Sequence, residues 1–189
     1  MKKITLKVAI LITAIMALSG CVTEDMSAEV ALEYLVRQIE SNNLYRYRLT
    51  MYYFNLATIP SPPPRNLEDV KQSGFTTRIT VGGEWLSVGW WDYELIDRLN
   101  TINLTPLGNR DETPPLPILH YVFETTRGRK IFDVTMFSRD GGVFINGLEV
   151  EWNDVFYDII RWHLPIDATY RMDRASATYA DFWDDFLGR

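Results

Sequence analysis

Apolar residues recur along this chain at two different spacings, and the switches between them lay out its elements. From Ser27 to Ser41, Ala28, Ala31, Leu32, Leu35 and Ile39 fall on one helical face. Ser27 is placed to cap that helix, and Asn42-Asn43 to stop it. From Leu44 to Leu56 the period becomes two. Tyr45, Tyr47, Leu49, Met51 and Tyr53 share one face of a long strand, while Arg46, Arg48 and Thr50 start the other. The run Pro62-Pro63-Pro64, close after Pro60, excludes helix and central strand and marks a loop.

Phe75 to Val81 and Glu84 to Trp90 read as a hairpin around Gly82-Gly83, pairing Ile79 with Leu86, Thr77 with Val88 and Phe75 with Trp90. Asp92 is placed to cap a helix to Ile102, with Leu95, Ile96, Leu99 and Ile102 inward. A second proline-bearing loop spans Leu104 to Ile118. Four strands follow: Leu119–Thr126, Arg129–Ser138, Val143–Ile145 and Leu148–Trp152. Counting from the turns pairs Phe123 with Phe132, Tyr121 with Val134, Leu119 with Met136, Ile145 with Leu148 and Val143 with Val150. Closing the middle turn between Ser138 and Val143 sets Met136 opposite Ile145. The other face carries His120, Glu124, Asp133, Thr135, Glu149 and Glu151, with Val122, Ile131 and Phe144 among them, and so reads as half covered. Asn153 caps a helix to about Leu164, with Phe156, Ile159, Ile160 and His163 inward, and Pro165 ends it. A last helix from about Arg171 to Leu187 has Met172, Ala175, Tyr179, Phe182 and Phe186 in phase.

These elements predict an α+β fold: an antiparallel sheet of about seven strands, in hairpins and a meander, packed by helices. Residues 27–189 can close one core. The segments Trp91-Asp92-Tyr93 and Trp152-Asn153-Asp154 each follow strands and lead into a helix. That likeness suggests two divergent strand-strand-strand-helix units, in halves 27–103 and 119–189.

The N-terminus has a different character. Lys2, Lys3 and Lys7 precede an apolar stretch from Val8 to Leu18, interrupted only by Thr13. This is a secretory signal layout, and the stretch is too short to span a bilayer comfortably. Leu18-Ser19-Gly20-Cys21 resembles the lipobox of bacterial lipoproteins at all four positions. That resemblance implies a signal peptide over residues 1–20, a diacylglyceryl group on the Cys21 thiol, cleavage before Cys21, and acylation of its freed amino group. It also implies a short lipidated tether over 21–26. Two or three acyl chains anchor stably where one would not. Val22 stands where an aspartate would signal inner-membrane retention in enteric bacteria. The expected location is the extracytoplasmic side of the cell membrane or outer membrane.

Composition narrows the function. The 189 residues carry 19 basic and 25 acidic side chains, for a formal charge of -6. Residues 1–20 hold three of the lysines and no acid, so the mature chain has 16 basic against 25 acidic groups and a charge of -9. An acidic chain with no basic block does not fit a nucleic-acid partner. A single cysteine excludes an internal disulfide and a zinc site of several thiolates.

Candidate chemistry is sparse, and no cofactor is expected. His120 and His163 are the only histidines; the pattern puts His163 on a buried stripe and His120 on the open sheet face, near Glu124 and Asp133. Asp181, Asp184 and Asp185 read as a solvated helix face rather than a calcium loop. Trp85, Trp90 and Trp91 read as core and edge packing, with sugar or peptide contact as the alternative. Arg127, Arg129 and Lys130 form a basic hairpin tip suited to anionic lipid heads or wall polymers, or merely solvated. The leading expectation is a non-catalytic binding module, held to the membrane through Cys21, that contacts an envelope protein or cell-wall polymer. The alternatives are an envelope hydrolase or transferase using carboxylates or His120, and a carrier of a small apolar ligand.

Overall fold

The computed structural model describes residues 27–41, 43–55, 64, 66–82, 93–102, 104–107, 117–137, 142–175 and 188. Helix α1 spans Ala28–Glu40, and the Ser27 hydroxyl accepts from Val30 N at its start. A 3-10 turn over Leu44–Arg46 leads into strand β1, Tyr47–Phe54. Helix α2, Leu67–Gln72, is capped by the Asn66 side chain, which accepts from Asp69 N. Strand β2 is Thr76–Gly82, and helix α3 is Tyr93–Thr101. Strands β3, Leu119–Thr125, and β4, Lys130–Met136, precede the short β5, Val143–Ile145, and β6, Leu148–Val150. Helices α4, Val155–Arg161, and α5, Ile166–Ala175, follow.

The fold is α+β. The described strands form one antiparallel sheet in the order β2-β1-β3-β4-β5-β6. The expected strand Glu84–Trp90 and the Asp92 cap lie outside the described residues. On one side of the β1–β3 pair lies β2, reached through α2, and on the other a meander runs from β3 to β6.

One sheet face and the helices make the core. Leu49, Met51, Tyr53, Leu119, Tyr121, Phe123, Phe132, Val134, Met136, Val143 and Ile145 are all buried there. Helix α4 lies deepest: each residue from Val155 to Ile160 is buried. The Asn153 side chain accepts from Val155 N at 3.0 Å, so the expected cap is present. The Tyr121 hydroxyl donates to Phe156 O at 2.8 Å and ties sheet to helix. Fully burying a side chain the size of Phe156 contributes about 3 kcal/mol.

The register agrees with the alternation at both tight hairpins: Phe123 faces Phe132, Leu119 faces Met136, and Ile145 faces Leu148. Asn146 and Gly147 hold φ of 48° and 82°, as the two-residue turn requires. Between β4 and β5 the register is corrected by two residues. Met136 faces Val143, and it is Val134 that faces Ile145. A shift of two leaves every side chain on its expected face. Asn146 holds this register from the turn, because its side chain accepts from Asp133 N and its own N–H donates to Asp133 O, both at 3.0 Å.

Other expectations change more. The pairing shifts between Phe123 and Glu124, so Glu124 faces Lys130 and Ile131 is extra. This bulge turns Ile131 into the core, away from the polar face where simple alternation put it. Tyr45 belongs to the 3-10 turn rather than the strand and is 54% exposed. Phe75 precedes β2 and is exposed. Helix α2 emerges within a segment left without an element, since only Leu67 and Val70 mark its apolar side. The last helix begins at Ile166 rather than Arg171, with Thr169 N donating to Pro165 O. Pro165 therefore opens a helix, as its fixed φ allows at a first turn, and does not close the preceding one, which ends at Arg161 rather than about Leu164. Residues 176–187 of the expected last helix lie outside the described residues.

Candidate functional site

Pairing of β1 with β3 brings together cationic residues far apart in sequence. Tyr47 faces Thr125, which sets Arg46 against the β3–β4 turn, where Thr126 N donates to Arg46 O at 2.9 Å. The turn is closed by Gly128 N donating to Thr125 O at 2.8 Å, with Gly128 at φ 82°. Arg129 N donates to Thr125 Oγ1 at 3.1 Å. Arg127, Arg129 and Lys130 are exposed at this end, as expected, and Arg46 joins them.

The cations at this end differ in what they touch. Arg48 Nε meets Glu124 Oε1 at 2.7 Å, and Lys130 Nζ meets Asp133 Oδ1 at 2.8 Å. Arg46, Arg127 and Arg129 form no ion pair among the described residues. The Arg46 guanidinium lies 5.3 Å from the centre of the exposed Tyr45 ring, and its Nε donates to the Tyr45 hydroxyl at 3.0 Å. Beneath them the Tyr34 and Tyr47 hydroxyls are 2.5 Å apart. Burial pushes Tyr47 up to about 12, and Tyr34 adds to this; the charges of Arg46 and Arg129 oppose it. Three guanidinium groups and a stacked phenol, held on paired backbone, make a cationic surface suited to phosphate or carboxylate groups.

His120 lies elsewhere. It sits mid-strand, on the sheet face away from the helical core, yet is 2% exposed rather than open to solvent. Thr50 and Thr135 on that face are buried too. The reason is visible in part: Lys71 of α2 lies 5.5 Å from the centre of the Tyr52 ring, and that ring is 5.9 Å from the imidazole. His120 Nδ1 is 2.9 Å from Thr135 Oγ1, and among the described residues Nε2 has no hydrogen-bond partner. Burial pushes its pKa down to about 4, with Lys71 adding to the effect and Asp133 opposing it. A buried, neutral imidazole is a poor contact residue, so His120 leaves the interaction surface. His163, half-buried just beyond α4, is also pushed down by burial.

The buried carboxylates lie on the helical side, with the sheet between them and His120. Asp158 accepts from Arg98 Nη1 at 2.6 Å. Asp173 accepts from Arg161 at both oxygens and from the Tyr157 hydroxyl. The geometry brings neither of them beside His120, which is where an acid–base pair would be needed. Among the described residues no group of three or more His, Cys, Asp or Glu side chains is gathered to hold a metal ion.

A cleft of about 200 Å³ opens between α1 and α3. Leu32, Val36, Leu99, Ile102 and Leu104 form its apolar lining, with Glu29 and Glu33 also against it. Sites for small organic ligands are usually about 300–1,000 Å³. Leu18, Ser19, Gly20 and Cys21 lie outside the described residues, as do Trp85, Trp90, Trp91, Asp181, Asp184 and Asp185. Among the described residues no helix is long and apolar enough to cross a membrane.

No protein-family model, curated protein or solved structure matches this chain. The site is therefore read from its own chemistry. Sequence patterning found Arg127, Arg129 and Lys130. It missed Arg46, whose position depends on pairing strands across the length of the domain.

Proposed function

We propose that this chain is a lipid-anchored extracytoplasmic binding module, attached to the cell membrane or outer membrane through Cys21 and acting without catalysis on an envelope partner. The observation that carries the binding reading is the arginine cluster. Among the described residues Arg46, Arg127 and Arg129 pair with no carboxylate, on a chain whose acids outnumber its bases by 25 to 19. In such a chain an unpaired cationic group has many carboxylates available to it, so three together at one end mark a surface kept for something else. The lipobox resemblance of Leu18-Ser19-Gly20-Cys21 supports the anchor, together with the absence of any second cysteine.

Membrane fractionation and intact mass test the anchor. The native chain should sediment with membranes and carry the mass of acyl groups at Cys21. Cys21→Ser should lose both. A Cys21→Ser protein that stays in the membrane fraction at a lipidated mass overturns the anchor. For the binding reading, crosslinking in intact cells should recover one reproducible envelope component.

A further inference from the structure

We infer that the basic end of the sheet is a docking surface for an anionic polymer bearing repeated phosphate or carboxylate groups, reached on the side away from the anchoring bilayer. This rests on the proposed lipid anchor for its direction, but not for its chemistry.

The direction follows from α1. Its N-terminus at Ala28 is the end nearest Cys21, with Ser27 only six positions after that cysteine. The basic end begins just past the opposite terminus, at Leu44–Arg46. Thirteen helical residues separate the two by about 20 Å at 1.5 Å per residue. To bring the arginines down to the bilayer, α1 would have to lie flat or the six positions from Cys21 to Ser27 would have to extend fully, to about 20 Å. Its exposed side carries Glu29, Glu33 and Glu40, and Arg37 there is engaged by Glu33. Pressing that acidic side onto anionic lipid is unfavourable. The chain stands on the tethered end of α1 and presents the arginines outward.

The chemistry follows from what surrounds the arginines. A stable protein partner needs roughly 800 Å² per side, with an apolar centre. Among the described residues of the Leu44–Arg46 and Thr126–Arg129 turns, Tyr45 is the one strongly exposed large apolar residue, and its ring is already under Arg46. Three guanidinium groups on adjacent turns offer successive two-point contacts to anionic groups. That suits a chain of repeated anions better than one small ligand, because each arginine can engage a different unit.

The test uses the full chain, purified in a nonionic detergent. Binding to long-chain inorganic polyphosphate and to polygalacturonate is read by fluorescence anisotropy at two salt concentrations. Vesicles containing phosphatidylglycerol form a separate arm. Binding to at least one polymer is expected, weakening with salt. Each lost cation should weaken it about fivefold, so R46Q/R127Q/R129Q should bind on the order of 100-fold more weakly. The control R37Q/R171Q removes two cations elsewhere and should change affinity less than twofold. Should the triple variant lose its unfolding transition, R127Q alone, at an exposed turn position, should still show the fivefold loss.

Binding to neither polymer overturns the inference, as does equal loss in the control. Preferential capture of the vesicles through the same arginines overturns the outward direction. A photo-crosslinker at Thr126 that captures a discrete protein overturns the polymer. Failure of the Cys21 anchor would leave polymer binding intact and remove only the direction, so the two readings fail separately.

Discussion

Arg161 holds Asp173 at two points: Nε donates to Oδ1 at 3.0 Å and Nη2 to Oδ2 at 2.9 Å. The carboxylate is fully buried, while the Arg161 side chain keeps 16% of its surface exposed. That asymmetry predicts unequal variants. Arg161→Met strips the buried carboxylate of both guanidinium contacts, while the Tyr157 hydroxyl, 2.5 Å away, still donates to it. It should cost about 3–5 kcal/mol. Asp173→Asn keeps an acceptor for Tyr157, and the partly exposed guanidinium released from the carboxylate keeps access to water. It should cost roughly 1–3 kcal/mol. Urea unfolding measures both, and a larger loss for Asp173→Asn would contradict the asymmetry.

His120 predicts the response to acid. Its pKa is about 4 in the folded chain, against about 6.5 when unfolded. Between those values the unfolded chain binds a proton that the folded chain refuses, so stability falls as pH drops from 6.5 to 4. The full shift amounts to roughly 3 kcal/mol, lost progressively across that window and constant above it. His163 is shifted in the same direction and adds to the slope. His120→Gln, which cannot titrate, should flatten the slope measured by urea unfolding at stepped pH. An unchanged slope would remove His120 as its source.

Two glycines separate backbone strain from crowding. Among the described residues a Cβ added at Gly74 or at Gly147 meets nothing within 4 Å, but Gly147 holds φ at 82° in the β5–β6 turn. Gly147→Ala should cost about 1–2 kcal/mol for the left-handed conformation alone. Gly74→Ala has no such strain and should be neutral or stabilise by up to about 1 kcal/mol. Thermal unfolding of the pair checks this, and equal melting temperatures would sink it.

The strands of the second half were legible because alternation and tight turns agree there. Phe123–Phe132 and Ile145–Leu148 could be paired by counting from Arg127-Gly128 and Asn146-Gly147. Alternation is blind to even shifts, which is why Met136 found Val143 instead of Ile145. It is equally blind to an inserted residue, so the bulge that turns Ile131 inward could not be counted. His120 alternates correctly onto the non-core face, but whether that face is covered depends on tertiary packing that the strand itself does not encode. At the basic end, Arg127 and Arg129 announced themselves as a turn, whereas Arg46 is placed by strands whose pairing spans the domain.

The contrast between short and long strand closures in the sheet bears on the order of assembly. Hairpins β3–β4 and β5–β6 close over a few residues, whereas the Arg48–Glu124 contact closes a separation of 76. Chain entropy makes the long closure the costlier step. The meander is thus expected to template the arrival of β1. Truncation of Val134 should slow folding more, relative to its effect on stability, than truncation of Leu49. Arg46 meets Arg127 and Arg129 only when that last closure occurs. The cationic surface is then a late product of folding, and a partly folded chain would not yet display it.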